Sequence, residues 1–503
     1  MDAGTRISRR RLLELAIAGG GASLLAACGG GAPAAPPAQT APNQPAAPNP
    51  TRAPVVTEIP TTVPNPAAAQ APTAVPTATT VPNVAYTGGT KVLMRVHWGG
   101  TYYNEFAKVV NEYNTTQGPQ DKIYITLERQ LQPQNGANEA AGLLATFIAD
   151  FQAGTSEDIY HNNDNILPEL ASRNFFVPAP QSVTDAVKRD WRGGTFETGS
   201  WDGKFYGYPT EYQAMALLVN KKLFEDGTGL TLPKDAPKNW DDLRAKSKAV
   251  AKKDGSGRIT RQGLIWKTED FQRQMIERVV LHQADGEPFI DTSGGGIPKI
   301  NFLSPTSMKL MNLYKGMVDD GSMVGGVGGE NVLLPNRLGT MDFAEAFAVY
   351  FFLKALGDEN IVNEQYAIKP FSSDGSKTIT NTRNYHFQVA ARSKVQDQAW
   401  TFLKWLNEGP EFRMANFQVD VFGFLPAVKS IELPKWWPDE VRTTWKELLD
   451  GQTVPIPNIL GLAQIIELVG TYQNQVILGQ ASIEDAMTKA DAEAKKVLQD
   501  AYR

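Results

Sequence analysis

The amino-acid sequence predicts an α/β fold that is divided into two lobes. From residue 90 onward, strand-like and helix-like segments alternate at long separations, a pattern typical of parallel βαβ units. Residues 91–503 form a segment that is longer than a usual domain with a single hydrophobic core. With 42% hydrophobic residues the chain can fill two such cores.

The first strands and helices of this alternation are predicted from the spacing of apolar residues and from residues that can cap a helix. Apolar residues at helical spacing (Phe106, Val109, Val110 and Tyr113) follow a glycine-bounded loop at His97–Gly100. Five elements are predicted, in chain order: a strand at Lys91–Val96, a helix capped by Thr101, a strand at Ile123–Leu127, a helix at Asn138–Phe151 and a strand at Asp158–Tyr160.

The later part of the chain continues the pattern and is richer in helices. Interior apolar runs predict strands at Ala214–Val219 and Tyr366–Lys369. Asn239, Ser304 and Ser482 stand where N-caps are expected. Helices are predicted at Trp240–Lys253, Phe271–Ala284, Thr306–Asp320, Val395–Asn407, Asp439–Leu449, Ile459–Leu478 and Ile483–Tyr502.

Composition excludes several classes of protein. A net charge of −5 argues against a nucleic-acid-binding surface. One cysteine and four histidines exclude an intramolecular disulfide framework and a Cys/His zinc cluster, and we expect neither a metal nor another cofactor. Beyond residue 27 the sequence has no run of eighteen apolar residues, so no membrane span is expected there.

Residues 1–27 are predicted to be a targeting peptide. A basic start precedes a short, glycine-interrupted apolar run, and Ser8–Leu13 resembles a twin-arginine export signal. Leu12 and Glu14 depart from that signal, which leaves the Sec route open. Leu25–Cys28 resembles a bacterial lipobox, so Cys28 is the predicted site of lipidation; the alternative is a cysteine placed there by chance.

Residues 28–89 are predicted to be a disordered tether. Fourteen of the 33 prolines lie between Gly29 and Ala85, with only two charged residues, Arg52 and Glu58. Such a segment buries too little apolar surface to offset its chain entropy. At about 3.1 Å per residue, a polyproline-like tether of this length would hold a domain well over ~100 Å from a membrane.

Several segments together resemble the extracellular solute-binding proteins of ABC transporters, in particular the sugar-binding, maltodextrin-like family 1. The order and spacing of the matches carry the resemblance more than any single one. The segments are Tyr206–Pro209 with Leu217–Phe224, Pro237–Leu243, Leu338–Met341, Ala390–Lys394 with Ala399–Leu406, and Gly479–Ala486.

This resemblance implies a fold, an activity and a location. The fold is of the periplasmic-binding-protein type II: two doubly wound α/β lobes joined by crossover hinge strands, with lobe 1 at 90–208 and 340–407 and lobe 2 at 209–339 and 408–503. The implied activity is capture of a sugar or oligosaccharide by hinge closure and delivery to the permease of an ABC importer, without catalysis. We expect an exported monomer, anchored through Cys28 on the outer face of the cytoplasmic membrane.

The candidate solute contacts are aromatic and polar residues, most of them in loops after strands, where rings can stack on sugars and polar groups can bind hydroxyls. His386 instead stands just before a predicted late strand. For each, an alternative role in the core, in a turn or in a helix stays open. The candidates are Trp98, Tyr102, Asp164, Glu211, Tyr212, Trp266, Glu345, His386 and Phe422. Asn163, Phe347 and Phe424 are secondary candidates.

Two other classes of function remain as alternatives. A cell-surface glycoside hydrolase needs two carboxylates about 5–10 Å apart, which Glu211 and Glu345 could supply. An adhesin or scaffold protein would suit the long tether and would need an exposed apolar patch. The glycines at 325–329 lack the residues of a phosphate loop, and Asp254–Arg258 lacks those of a calcium loop.

Overall fold

The computed structural model describes residues 88–98, 100–129, 139–326, 336–347, 364–451 and 453–503. Cys28, the predicted targeting peptide and the predicted tether up to residue 87 lie outside the described residues. Most described strands belong to two five-stranded sheets, and helices pack around both. We call the first sheet with its helices lobe 1 and the second sheet with its helices lobe 2.

The strands of the described residues are, in chain order, β1 (Thr90–Val96), β2 (Ile123–Arg129), β3 (Ile159–Asn163), β4 (Ser200–Trp201), β5 (Lys204–Phe205), β6 (Gly207–Pro209), β7 (Met215–Asn220), β8 (Lys252–Lys253), β9 (Ile259–Leu264), β10 (Ile290–Asp291), β11 (Lys299–Ile300), β12 (Gly339–Glu345), β13 (Gln365–Ile368), β14 (Thr380–Thr382), β15 (Tyr385–Val389) and β16 (Thr453–Pro455).

The helices of the described residues are α1 (Gly100–Thr115), α2 (Gly118–Asp121), α3 (Glu139–Ala153), α4 (Leu167–Ser172), α5 (Gln181–Asp190), α6 (Thr195–Thr198), α7 (Lys221–Thr228), α8 (Trp240–Val250), α9 (Phe271–Ala284), α10 (Pro305–Asp319), α11 (Gln396–Asn407), α12 (Arg413–Phe417), α13 (Asp439–Leu449), α14 (Leu462–Ile477) and α15 (Ile483–Ala501). A 3₁₀ turn at Asp164–Ile166 follows β3, and a π-helical turn at Gln418–Phe422 follows α12.

The two sheets are connected by two crossover segments. The first sheet has the order β2-β1-β3-β15-β6 and the second the order β13-β7-β12-β9-β8. The chain passes from the first sheet to the second at residues 210–214 and returns at residues 369–384. After α12 the chain passes to lobe 2 once more, where Arg278 Nε of α9 donates to Gln473 Oε1 of α14 at 2.8 Å. Helix-connected parallel strands in each sheet, joined by crossovers, confirm the predicted two-lobed α/β architecture.

Two clusters of buried hydrophobic side chains lie on opposite faces of the sheets. In β7, Met215, Leu217 and Val219 belong to one cluster, while Ala216 and Leu218 belong to the other. Such alternation follows from the two-residue period of a strand. Each cluster also takes side chains from lobe 1, so both cores are continuous across the lobes.

Most predicted elements and caps are confirmed. The side chains of Asn239, Ser304 and Ser482 each accept a hydrogen bond from the first turn of a helix, as expected of N-caps. Thr101, predicted as a cap, instead lies inside α1, which begins at Gly100. Within the described residues, none of the helices combines the length and the apolar character needed to cross a bilayer.

The predicted boundaries between the lobes differ from those observed. Residues 340–407 were assigned to lobe 1, but β12 pairs with β7 and β9 in the second sheet, and β13 also pairs with β7. The return to lobe 1 therefore follows β13 rather than preceding it. Phe422, predicted in lobe 2, packs on Trp98 of lobe 1, with ring centroids 5.5 Å apart.

Candidate functional site

The carboxyl ends of three strands meet at one edge of the first sheet. β1 and β3 run in parallel, whereas β15 runs against both β3 and β6, so β6 points the same way as β1 and β3. His97, Asp164 and Thr210 directly follow β1, β3 and β6, and Tyr385 begins β15 at the same edge. Open α/β sheets bind ligands beyond such edges.

The corresponding edge of the second sheet lies close by. β12 runs parallel to β9 and against β7, so Glu345 at the end of β12 stands opposite Met215 at the start of β7. Lys267 follows β9 by three residues and donates to Phe343 O at 2.8 Å. Five residues span at most about 17 Å, so the step from Thr210 to Met215 keeps the two edges adjacent.

The two crossover segments are hydrogen-bonded to each other. Gln213 N donates to Arg383 O at 2.9 Å, and Arg383 N donates to Gln213 O at 3.1 Å. The Arg383 side chain also donates from Nη1 to Gln213 Oε1 at 3.1 Å. This pairing places the side chains of both crossovers between the facing edges.

A cluster of four buried charged residues joins the two edges, and we call it the interlobe charge cluster: Asp164, Arg273, Glu345 and Arg383. Arg383 Nε lies 3.5 Å from Asp164 Oδ1, and Arg383 Nη1 lies 3.8 Å from Glu345 Oε2. Arg273 Nη1 donates to the same Glu345 oxygen at 2.6 Å. Arg273 is held near the start of α9, where the N-cap Asp270 accepts from its backbone N–H at 2.9 Å.

Glu211 on the first crossover is enclosed by donors. Its Oε1 accepts from Tyr385 N and from Gln213 Nε2, each at 3.1 Å, and its Oε2 accepts from Gln418 Nε2 at 3.1 Å and from the Thr210 hydroxyl. Burial raises the pKa of Glu211 to about 7, although these hydrogen bonds act in the opposite direction. Burial likewise raises the pKa of Asp164 to about 6, against the lowering effect of Arg383.

Two histidines lie beside these carboxylates. His97 Nδ1 and His161 Nδ1 are 2.9 Å apart, and both rings lie close to the Tyr385 ring, with centroid distances of 4.6 and 5.2 Å. Burial lowers the pKa of His97 to about 3 and that of His161 well below its ordinary value. The described residues contain no group of three or more His, Cys, Asp or Glu side chains arranged to hold a metal ion.

Predicted aromatic residues from distant parts of the chain come together next to the histidines. Trp98 is only 7% exposed and packs against Phe106 and Phe422, at centroid distances of 5.1 and 5.5 Å. Tyr102 stacks on Phe422 at 3.8 Å and is partly exposed. Trp98 therefore lies in the core under α1, whereas the Tyr102–Phe422 pair presents a ring at the surface. The role of all three in binding stays a prediction.

The remaining candidates have mainly structural surroundings. Trp266 donates from Nε1 to Asn474 Oδ1 at 2.8 Å and packs edge-on against Tyr314 in lobe 2. Tyr212 is buried, with its hydroxyl 2.8 Å from Thr382 Oγ1. Their proposed contacts with a solute also stay predictions.

His386 lies on the other face of the first sheet from His97 and His161. Neighbouring residues of a strand point to opposite faces, and Tyr385 and Phe387 face His161, with centroid distances of 5.2 and 4.9 Å. His386 instead approaches Gly199, and burial lowers its pKa to about 4. At the edge of the first sheet that faces lobe 2, Tyr385 therefore stands where a solute contact from His386 was predicted.

Six residues of the candidate site were not among the predicted contacts: His97, His161, Gln213, Arg273, Arg383 and Gln418. A usable signal existed for His97, which follows a strand directly before the candidate Trp98. Arg383 and Gln213 lie on crossovers whose pairing joins residues 170 positions apart. No local periodicity reports such a contact.

Two α/β lobes, two crossovers and polar side chains gathered at facing sheet edges define a two-lobed solute-binding protein. Residues 108–444 match the family described as bacterial extracellular solute-binding protein, and the chain belongs to that family. Binding proteins from Brucella abortus (strain 2308) and Brucella suis biovar 1 (strain 1330) are each 24% identical over 371 residues, which cover 70% of this chain and 84% of the relative.

Solved structures with the same fold include three carbohydrate-related binding proteins. The sugar-binding protein MalE from Xanthomonas citri has a TM-score of 0.65 at 17% identity, covering 82% of this chain and 98% of its own. The GacH receptor of Streptomyces glaucescens, solved with acarbose, has a TM-score of 0.65 at 16% sequence identity, and the match covers 82% of this chain and 99% of the receptor. An ABC substrate-binding protein from Listeria monocytogenes, solved with cycloalternan, has a TM-score of 0.64 at 15% sequence identity, and the match covers 82% of this chain and 99% of that protein.

Proposed function

We propose that this protein captures a carbohydrate between its lobes and delivers it to the permease of an ABC importer. The protein would act as an exported monomer that is anchored through an acylated Cys28. Family membership and the carbohydrate ligands named for two of the similar structures support this proposal. A ligand that contacts both lobes only when they approach would drive closure by its differential affinity.

The observation that carries the carbohydrate proposal is a mixed set of buried polar atoms at the facing edges. Among the described residues, both side-chain atoms of Asn163 lack a hydrogen-bond partner, as do Glu345 Oε1 and Gln418 Oε1. This set contains a donor as well as acceptors. A hydroxyl group can both donate and accept, so a polyol matches the set better than an anion, which only accepts, or an ammonium, which only donates.

Glu211 argues against the glycoside hydrolase alternative. Its raised pKa would suit a general acid. However, its two oxygens already accept four hydrogen bonds from Thr210, Gln213, Tyr385 and Gln418. A carboxyl group saturated in this way has no free position from which to protonate a glycosidic oxygen, so solute binding without turnover is the function that we propose.

Calorimetry against a solute panel tests the proposal. Mono-, di- and oligosaccharides, peptides and polyamines are titrated into the purified chain, and we expect heat only from carbohydrates. Asn163→Ala is expected to weaken the binding about 3- to 10-fold, since one hydrogen bond contributes about 0.5–1.5 kcal/mol. Asn312→Ala is the matched control, because Asn312 is exposed on α10 and its loss leaves the affinity unchanged.

Three outcomes contradict the proposal. They are binding of a peptide or polyamine in preference to every carbohydrate, equal affinity in the Asn163→Ala variant and the wild type, and sustained hydrolysis of a bound glycoside. Delivery is tested separately, by uptake of the labelled solute in cells with and without the chain.

A further inference from the structure

Arg383 is a cation placed between carboxylates that belong to different lobes. It lies on the returning crossover, between β14 and β15. Asp164 begins the turn after β3 in lobe 1, and Glu345 ends β12 in lobe 2. The distances of 3.5 Å to Asp164 Oδ1 and 3.8 Å to Glu345 Oε2 put the guanidinium within ion-pair range of both.

The surroundings of Arg383 leave little solvent to screen these charges. The side chains of Arg383, Asp164 and Glu345 are 4%, 2% and 0% exposed. The guanidinium also lies over the Tyr385 ring at 5.4 Å and donates to Gln213 Oε1. In a buried site, loss of one partner of an ion pair leaves an uncompensated charge, which costs far more than the loss of a surface pair.

We propose that Arg383 is a positioning residue that holds the facing edges of the two lobes together in the absence of solute. It does so by placing one cation between Asp164 and Glu345. Without this cation, the two buried carboxylates would repel each other across the gap between the lobes. The repulsion would shift the population toward structures in which the edges are further apart. This inference goes beyond solute binding, since it concerns the relative position of the lobes when nothing is bound.

Other charged and titratable groups face the same place. Arg273 compensates part of the charge on Glu345, with a 2.6 Å hydrogen bond, but it contributes from lobe 2 alone. Glu211 adds a further carboxylate on the first crossover, and Arg383 lowers its pKa. His97 adds no positive charge near neutral pH, since burial lowers its pKa to about 3. Within the described residues, Arg383 lies within ion-pair range of a carboxylate of each lobe.

The test measures the distance between the lobes without solute. Spin labels are attached at Lys108→Cys in lobe 1 and Lys248→Cys in lobe 2, both exposed positions, in the full chain carrying Cys28→Ser. Pulsed dipolar spectroscopy then gives the distance distribution. We expect Arg383→Gln to shift this distribution to longer distances at pH 8. Arg258→Gln, which removes an exposed arginine from a local pair with Asp254, leaves the distribution unchanged.

Two rescues separate this role from simple loss of packing. Adding Asp164→Asn to Arg383→Gln removes one of the repelling charges, so the distances return toward the parent distribution. Lowering the pH to 5 acts in the same direction, because burial already raises the pKa of Asp164 to about 6 and loss of Arg383 raises it further. An unchanged distribution in Arg383→Gln overturns the proposal, and so does a shift that neither rescue reverses.

Arg383→Lys provides the test if Arg383→Gln does not fold. The lysine keeps a positive charge but not the two-sided reach of the guanidinium, so one of the two carboxylates loses its cation. We expect Arg383→Lys to lengthen the distances and Asp164→Asn, added to it, to return them toward the parent distribution. A parent-like distribution in Arg383→Lys contradicts the proposal. Because no solute is present, a failure to bind carbohydrates would refute the proposed function and leave this result standing.

Discussion

His161 Nε2 lies 3.0 Å from Thr210 Oγ1, and when Glu211 is ionised this contact sets which nitrogen of His161 and of His97 carries a proton. When Glu211 is ionised, the Thr210 hydroxyl donates to Glu211 Oε2, so Thr210 Oγ1 must accept from His161 Nε2–H. His161 Nδ1 is then an acceptor, and His97 donates to it from Nδ1. A hydrogen-bonded chain therefore runs from the end of β1 to the first crossover, with both imidazoles neutral.

The first prediction concerns the stability that His97 contributes to the protein as the pH becomes acidic. The folded-state pKa of His97, about 3, lies below the ordinary value of 6.5, so the unfolded chain binds a proton more readily than the folded protein. The stability that neutral His97 contributes is present above pH 6.5 and is lost as the pH falls toward 3. Between pH 7 and 4.5 we expect a loss of roughly 2–3 kcal/mol from this residue.

Urea unfolding of the wild type and His97→Gln between pH 4.5 and 8 measures this contribution. The carboxylates with raised pKa values act in the opposite direction in both proteins and therefore cancel in the difference. We expect the wild type to lose stability relative to the variant as the pH falls. Parallel curves for the two proteins would show that folding does not lower the pKa of His97.

Glu211 gives a second prediction, of opposite sign. Its pKa rises from 4.5 to about 7 on folding, so its contribution to stability is fully present below pH 4.5 and is lost as the pH rises through 7. Replacement by the neutral Gln is expected to remove a pH-dependent loss of roughly 3 kcal/mol. Chemical unfolding at pH 5 and pH 8.5 checks this, and the same loss in Glu211→Gln as in the wild type contradicts it.

Trp98 carries a third prediction, in which stability rather than solute contact is decisive. Its ring is 7% exposed and packs against Phe106, Phe422 and Phe417, the last at a centroid distance of 6.0 Å. Trp98→Ala is therefore expected to lower the free energy of unfolding by about 3–5 kcal/mol. Trp436→Ala is the control, since Trp436 is 38% exposed. Similar losses in the two variants would mean that Trp98 is not part of the core.

Local sequence patterns predicted the elements well because caps and periodicity are local. α9 and α13 begin and end at the predicted residues. The interlobe charge cluster could not be predicted in this way, since Asp164 and Arg383 are held together by sheet topology and not by any spacing in the sequence. Ion pairs between residues far apart in the chain leave no periodic pattern in the sequence, whereas the apolar face of an amphipathic helix does.

The misplacement of His386 shows how sensitive a strand prediction is to register. The late strand was expected to begin after His386, but β15 spans Tyr385–Val389 and includes it. Because side chains alternate with a period of two, one residue decides which face of the sheet a side chain occupies. Tyr385 therefore lies at the edge facing lobe 2, and its neighbour lies on the opposite face.

Gly207 in β6 gives a fourth prediction, on the strand that leads into the first crossover. A Cβ atom at this position would lie 2.0 Å from Phe387 O, a backbone atom of the neighbouring strand β15. Gly207→Ala must therefore separate the two strands, at a cost of about 1–3 kcal/mol or more. Gly193→Ala is the matched control, because none of the described atoms beyond its two chain neighbours lies within 4 Å of its Cβ position. Equal thermal midpoints for the two variants would contradict this packing.

Cys28 gives the last prediction, which concerns attachment to the membrane. It is the sole cysteine of the chain and follows the small residues that end the apolar run of the predicted targeting peptide. Each buried CH₂ of an acyl chain contributes about 0.8 kcal/mol, so two or more chains on one residue would hold the protein at the bilayer. We expect the wild type to enter the detergent phase on partitioning and Cys28→Ser to remain in the aqueous phase without the acyl mass. Ser23→Ala, in the same segment, should behave as the wild type. An acylated Cys28→Ser variant, or an unmodified wild-type Cys28, would contradict lipidation at Cys28.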